Sequence, residues 1–243
     1  MAPLVLWAAA ASANPRPLPF TYPYESLPQG SLEVEQFVDL SPVVSLTADG
    51  EREWSARYQL ITEVEYGITD RLELGLYFVA ATEPGEAPLV FDGIKQRLRY
   101  RFGEAGQWPI DVAIYGELAE KHDEIELELK INLQRRFGPA RLMVNLSGER
   151  AWDYKGGGEW VLNPSAGLAV ELSPSVSLGV EYWMHAVLEG DTQHYAGPTL
   201  ALQWKKLWVS VAPYLRLDNL GTATAYNDKY GRIWVRTVIG LNL

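Results

Sequence analysis

The chain has 243 residues, of which 47% are hydrophobic and 12% aromatic, and its formal net charge at pH 7 is -10. This acidic balance argues against a nucleic-acid-binding protein, because such a protein needs a basic surface to neutralise phosphates. Cysteine is absent, which excludes disulfides and thiolate chemistry, and no apolar run reaches the roughly eighteen residues that a transmembrane helix needs.

The first thirteen residues have the layout of a secretory signal peptide. A short apolar stretch over residues 4–11 leads into an Ala-Ser-Ala tripeptide, which suits signal peptidase and places a cut before Asn14. No Lys or Arg precedes Arg16, so we expect a signal that is truncated at its start. The alternative is an apolar tail without a role. A Pro-rich segment, residues 14–30, follows, and its composition leaves open whether it plugs or caps the fold that comes after it, or hangs free.

From residue 31 to residue 243 the sequence alternates between apolar and polar residues. In 124–137, Ile125, Leu127, Leu129 and their successors share one parity, while Glu126, Glu128 and Lys130 share the other. A side-chain period of two predicts a strand with one apolar and one charged face. The same pattern predicts strands at or near 32–40, 54–67, 72–78, 91–102, 110–118, 142–149, 160–172, 176–186, 199–204, 207–217 and 231–243.

The connections between these strands alternate between short turns and mostly longer loops, as in outer-membrane barrels with periplasmic turns and extracellular loops. The predicted fold is therefore all-β, a transmembrane antiparallel up-and-down β-barrel of about twelve strands. A soluble β-sandwich also alternates, but the strands are long enough to cross a membrane at a tilt. Aromatic residues near the short turns are predicted to form an interfacial girdle: Tyr66, Phe102, Trp108, Phe137, Trp204 and Trp208. The last residue, Leu243, departs from the terminal aromatic that bacterial barrels commonly carry.

If the apolar face meets lipid, the polar face lines the lumen. The fourth predicted strand then carries a basic ladder, which consists of Lys95, Arg97, Arg99 and Arg101. Its predicted acidic partners in the lumen are Glu73, Asp111, Glu117, Glu126 and Glu128. Two interpretations stay open: an anion-attracting wall of a narrow pore, or a salt-bridge network that holds the barrel rigid and partly fills it.

No motif indicates catalysis, a cofactor or a metal site. The three histidines, His122, His185 and His194, have no paired metal-ligand spacing, and no G-x-S-x-G elbow is present. We therefore expect no enzymatic activity and no cofactor. Acidic residues in the outer loops are expected to be solvated, or to hold divalent cations that bridge lipopolysaccharide.

The stretch from Tyr66 to Leu76, Tyr-Gly-Ile-Thr-Asp-Arg-Leu-Glu-Leu-Gly-Leu, resembles a hairpin of the phenol-degradation (MetA-pathway) transporter-like family of outer-membrane channels. The resemblance covers one hairpin closely, and its Thr-Asp pair suits a tight turn. It implies a porin-like protein of a Gram-negative outer membrane, with membrane lipid, lipopolysaccharide and the barrel-assembly machinery as partners. The implied function is a channel or facilitator for small solutes, including hydrophobic or aromatic ones. The alternative is a non-conducting barrel with a structural, adhesion or lipid-modifying role.

Overall fold

A computed structural model describes residues 15–46, 49–82, 89–218 and 231–243 of the chain. The predicted signal peptide lies outside these residues. Among them, no helix is long and apolar enough to cross a membrane. The strands are β1 (Leu32–Leu46), β2 (Arg52–Gly67), β3 (Leu72–Ala81), β4 (Val90–Phe102), β5 (Asp111–Lys121), β6 (Glu124–Phe137), β7 (Ala140–Asp153), β8 (Trp160–Leu162), β9 (Ser165–Ser173), β10 (Val176–Val187), β11 (Thr192–Trp204), β12 (Leu207–Arg216) and β13 (Ile233–Asn242).

Strands adjacent in sequence pair antiparallel, except β8 with β9, and β13 pairs with β1 to close the sheet into a barrel. The short strands β8 and β9 both pair with β7 on one side and β10 on the other, so they occupy one position. The described residues therefore form a closed barrel of twelve strand positions. This confirms the predicted fold class and strand number.

The two faces of the barrel are inverted relative to a soluble protein. Leucine, isoleucine and phenylalanine side chains such as Phe78, Leu98 and Leu129 are exposed on the outer wall. Charged side chains such as Glu63 and Arg97 are buried inside. An apolar outer face is what a hydrocarbon environment requires, and the alternation of period two places it there.

Several strands extend a few residues beyond the prediction, and in three places the difference involves a proline. β1 continues through Pro42 to Leu46, because the first hairpin keeps its register up to Leu46 opposite Arg52. β11 begins at Thr192 rather than near residue 199, with Pro198 paired to β10 while its ladder to β12 is interrupted. The predicted strand at residues 160–172 is interrupted at Asn163 and Pro164, because proline has no N–H to donate to a neighbouring strand.

One of the predicted girdle residues lies elsewhere. Tyr66, Trp108, Phe137 and Trp204 are exposed on the outer wall near the short turns. The prediction was wrong for Trp208, which is fully buried in the lumen and donates a hydrogen bond from Nε1 to Glu33. The side chain fits there because the facing residue is Gly240, where a Cβ would overlap the indole ring.

Candidate functional site

Residues 15–30, which we call the inner segment, lie inside the barrel. They form neither helix nor strand. The side chains that they bury include those of Arg16, Leu18, Thr21, Tyr24 and Leu27, and Pro17, Pro19 and Pro23 are buried too. The Pro-rich stretch therefore neither hangs free nor caps the rim, and it fills part of the lumen.

The inner segment enters and leaves at the end of the barrel that carries the short turns. Gln29 donates a backbone hydrogen bond to Asp70 in the β2–β3 turn. Pro15 and Pro17, at the other end of the segment, line a cavity of about 500 Å³ beside the β9–β10 turn. The segment thus runs up into the barrel and folds back. In bacterial barrels this end faces the periplasm.

The turn of the inner segment is held by an aromatic cluster in the half of the barrel nearer the loops. Phe20 stacks on Trp183 with ring centroids 4.3 Å apart, and Trp183 in turn stacks on Tyr195 at 4.3 Å. Tyr214 and Trp234 meet the Phe20 ring edge to face. Ring pairs of this kind contribute beyond the area that they bury, so Phe20 is a principal anchor of the segment.

Wall side chains supply the hydrogen bonds that the inner segment cannot make with itself. The segment contains five prolines, which break any regular ladder, and its remaining buried N–H groups need acceptors. The N–H groups of Phe20 and Thr21 donate to Glu181 at 3.1 and 2.5 Å. The Tyr22 N–H donates to Asn145 Oδ1 at 2.6 Å, and Asn145 Nδ2 donates back to the Tyr22 carbonyl.

Arg16 anchors the first part of the inner segment through charge. Its Nη2 lies 2.7 Å from Glu35 Oε2, 3.2 Å from Glu63 Oε2 and 3.2 Å from Glu65 Oε1. The guanidinium carbon also lies 3.8 Å from the centroid of the Tyr22 ring. The three carboxylates belong to β1 and β2, so Arg16 ties the segment to the barrel wall.

Arg97 and Arg99 of the basic ladder lie in the same network. Arg97 donates to Glu63 from Nε at 2.7 Å and to Glu73 from Nη1 at 2.6 Å, and it also contacts Glu65. Arg99 Nη2 donates to Glu73 Oε1 at 2.7 Å. We call Arg16, Arg97, Arg99, Glu35, Glu63, Glu65 and Glu73 the arginine–glutamate network.

The other two ladder residues lie at either end of that network. Lys95 pairs with Glu117 at 2.9 Å, toward the loops. Arg101 lies at the short-turn end, where it contacts Glu104 at 2.8 Å. Hydrogen bonding from Arg101 and then from Arg71 lowers the pKa of the Glu104 carboxyl below its usual value.

The predicted acidic partners are distributed among several cations. Of them, Glu73 and Glu117 contact the ladder. Glu126 pairs with Lys121 instead, and Glu128 lies 3.3 Å from Lys130. Asp111 accepts a backbone hydrogen bond from Gly106 at 2.7 Å.

The sequence did not predict that Glu63 and Glu65 contact the basic ladder. They lie on β2, which β3 separates from the ladder strand β4. In the row of Glu65, Gly75 and Arg97 the middle residue has no side chain. A Cβ on Gly75 would lie 2.6 Å from Arg97 Nε, so the glycine lets Arg97 reach across to β2. A glycine between an acid and a base in adjacent strands was the available signal. Arg16 had no such signal, since its segment has no periodicity.

A second cavity, of about 350 Å³, lies between the inner segment and the loops. Phe20, Tyr22, Trp183 and Trp234 provide its aromatic surface. Its charged lining includes Lys95, Lys121, Lys130, Glu117, Glu126, Glu128 and Glu149. We call it the loop-end cavity, and its volume is within the range of small-molecule sites.

Two of the three histidines are held by structural hydrogen bonds. His194 Nδ1 lies 2.7 Å from the Tyr182 hydroxyl, and His185 Nδ1 lies 2.8 Å from Asn163 Oδ1. His185 also lines the loop-end cavity.

Comparison with known proteins supports the fold. No protein-family model and no curated protein matches the sequence. Among solved structures, an outer membrane channel from Pseudomonas putida F1 matches with a TM-score of 0.61 at 13% identity, over 90% of this chain and 98% of that one. The NanC porin matches with a TM-score of 0.60 at 10% identity, over 87% and 100% of the two chains.

A third solved structure extends the likeness to another class of outer-membrane protein. The translocator domain of the autotransporter NalP from Neisseria meningitidis matches with a TM-score of 0.54 at 12% identity, over 88% of each chain. At such identities the likeness concerns the fold, and function does not follow from fold. The barrel type that the sequence resemblance implied is confirmed. The chain thus has the fold of bacterial outer-membrane β-barrels, with twelve strand positions in the part that the structure describes, as in porin-like outer-membrane channels.

Proposed function

We propose that the protein is an outer-membrane channel or facilitator for small solutes, including hydrophobic or aromatic ones, and that it conducts when the inner segment leaves the lumen. The observation that carries the proposal is the position of the inner segment between two cavities, one toward each end of the barrel. A barrel of this size has room for a passage once the segment is displaced.

The lining of the loop-end cavity supports the choice of solute. Phe20, Trp183 and Trp234 offer ring surface on which an aromatic solute can stack, and the charged side chains around them can bind its polar substituents. The role is transport rather than catalysis. We also infer that the barrel-assembly machinery inserts the protein and that its outer loops face lipopolysaccharide.

The density of ion pairs in the lumen favours a second candidate, a non-conducting barrel with a structural, adhesion or lipid-modifying role. Arg97 and Arg99 are almost fully buried and paired. A paired ladder is a poor anion-attracting wall, because its charge is already neutralised by the glutamates beside it.

Single-channel recording in a planar bilayer separates the two candidates. We expect the refolded protein to pass rare, small currents, and the Arg16→Gln/Phe20→Ala variant to open more often, since it loses both anchors of the inner segment. Arg71→Gln is the matched control, because Arg71 is half exposed and pairs with Glu104 in a turn. If the double variant folds into heat-resistant β-structure and still passes no current, the channel proposal is wrong.

A further inference from the structure

The wall of the lumen holds a compact group of three carboxylates. One oxygen from each of Glu35, Glu63 and Glu65 lies within 4.8 Å of the other two, and all three residues are buried. Glu35 and Glu63 stand directly opposite each other in the β1–β2 pair. Like charges in that arrangement destabilise a sheet, so the group requires more positive charge than Arg97, which contacts Glu63 and Glu65, supplies.

Arg16 supplies the second cation in an unusual way. A guanidinium usually grips carboxylates with two nitrogens in a fork. Here Nη2 alone contacts all three carboxylates. The other terminal nitrogen, Nη1, is buried and has no hydrogen-bond partner among the described residues. Arg16 therefore acts as a single point charge at the centre of three oxygens, which is the geometry of a coordinated ion.

The charge left on the wall without Arg16 matches a divalent ion. The fixed part of the network consists of the four carboxylates of Glu35, Glu63, Glu65 and Glu73 and the two guanidinium groups of Arg97 and Arg99. Removal of Arg16 leaves two negative charges unbalanced in a buried place, which is costly. Carboxylate oxygens are the ligands that Ca²⁺ prefers, at about 2.3–2.6 Å, so small side-chain shifts from the present distances suffice.

We propose that Glu35, Glu63 and Glu65 form a divalent-cation site, with Ca²⁺ as the fitting ion, that Arg16 occupies in the plugged barrel. Ca²⁺ and the inner segment then compete for one place. A ligand that binds one of two states shifts the equilibrium toward that state, so Ca²⁺ favours release of the segment. The inference rests on the proposed function, because it concerns the barrel with the segment displaced. It also adds a metal site that the sequence did not predict.

Calorimetric titration of the refolded full chain with CaCl₂ in a non-ionic detergent tests the site directly. Arg16→Gln removes the competitor, and we expect it to bind one Ca²⁺ about tenfold or more tightly than the unaltered protein does. Adding Glu35→Gln to that variant removes a ligand and should weaken binding again by about tenfold. The double variant also accounts for Ca²⁺ held by the acidic loops. Equal affinities in all three proteins overturn the proposal.

A labelling experiment on the otherwise unaltered chain tests the competition without disturbing the site. The chain has no cysteine, so Leu18→Cys introduces one reactive group at a fully buried position. We expect Ca²⁺ to accelerate its reaction with a maleimide, relative to NaCl at the same ionic strength. An unchanged rate contradicts the competition. Calcium binding without any bilayer current would uphold this site and reject the channel, whereas current without calcium binding would do the reverse.

Discussion

At the scale of single residues, the ion pairs of the lumen depend on a glycine, which has no side chain to block them. Gly75 lies between Glu65 and Arg97 in one row of the sheet, and a Cβ there would lie 2.7 Å from Glu63 Oε1. Arg97 can contact two carboxylates of β2 because nothing stands between. A buried guanidinium is tolerated only when its partners are in place, so this glycine supports the whole arginine–glutamate network.

Gly75→Ala should therefore destabilise the barrel although it adds one methyl group. We expect a loss of about 1–3 kcal/mol in the free energy of unfolding, because Arg97 must move away from at least one carboxylate. The measurement is equilibrium unfolding in denaturant of the protein in detergent micelles. Gly116→Ala is the control, since a Cβ on Gly116 would meet only Leu129 Cδ2 at 3.7 Å, an ordinary contact. Equal stability of the two variants would refute this account of Gly75.

At the scale of elements, the inner segment is held in place by side chains of the barrel strands. It has no ladder of its own, and Glu181 on β10 accepts the N–H groups of both Phe20 and Thr21. Tyr214 also donates to Glu181, so the carboxylate is fixed between β12 and the segment. The turn of the segment is thus held by one charged acceptor and one aromatic cluster.

Glu181→Ala should loosen this turn while the strands persist. Hydrogen bonds to a charged group contribute about 1.5–3 kcal/mol each, so we expect the amides of Phe20 and Thr21 to exchange with solvent about tenfold to hundredfold faster. Hydrogen exchange read by mass spectrometry measures the effect. Glu189→Gln, in the loop after β10, serves as the control. Unchanged exchange at residues 19–22 would show that Glu181 does not hold the segment.

At the scale of the whole molecule, the strands could be predicted because each carries its own signal. Residues 124–137 alternate at every position except Arg135, and β6 spans the same residues. The predicted strands excluded Pro42 and Pro198, but β1 and β11 include these prolines. A position within a sheet whose N–H would be unpaired tolerates proline. The parity of alternation also placed the ladder inside, but which carboxylate meets Arg97 depended on a glycine in the strand between.

The contents of the lumen could not be predicted from the sequence. The inner segment is held by its backbone N–H groups, by Arg16 and by Phe20, all in contact with residues far away along the chain. Such contacts leave no local pattern, and a Pro-rich composition is equally typical of a free tail. The barrel could be predicted from the periodicity of the sequence, whereas the plug depends on contacts between residues that are far apart along the chain.

The inner segment occupies the lumen, and a cross-link between the segment and the barrel wall tests this position most directly. Leu18 packs against Met143 on the inner face of β7, whereas the neighbouring Leu142 is exposed on the outer face. In a chain without natural cysteines, the pair Leu18→Cys/Met143→Cys should be joined by a short thiol-reactive cross-linker in the folded protein within its membrane. The control pair Leu18→Cys/Leu142→Cys should not. Equal cross-linking of both pairs, or of neither, would contradict a plugged barrel.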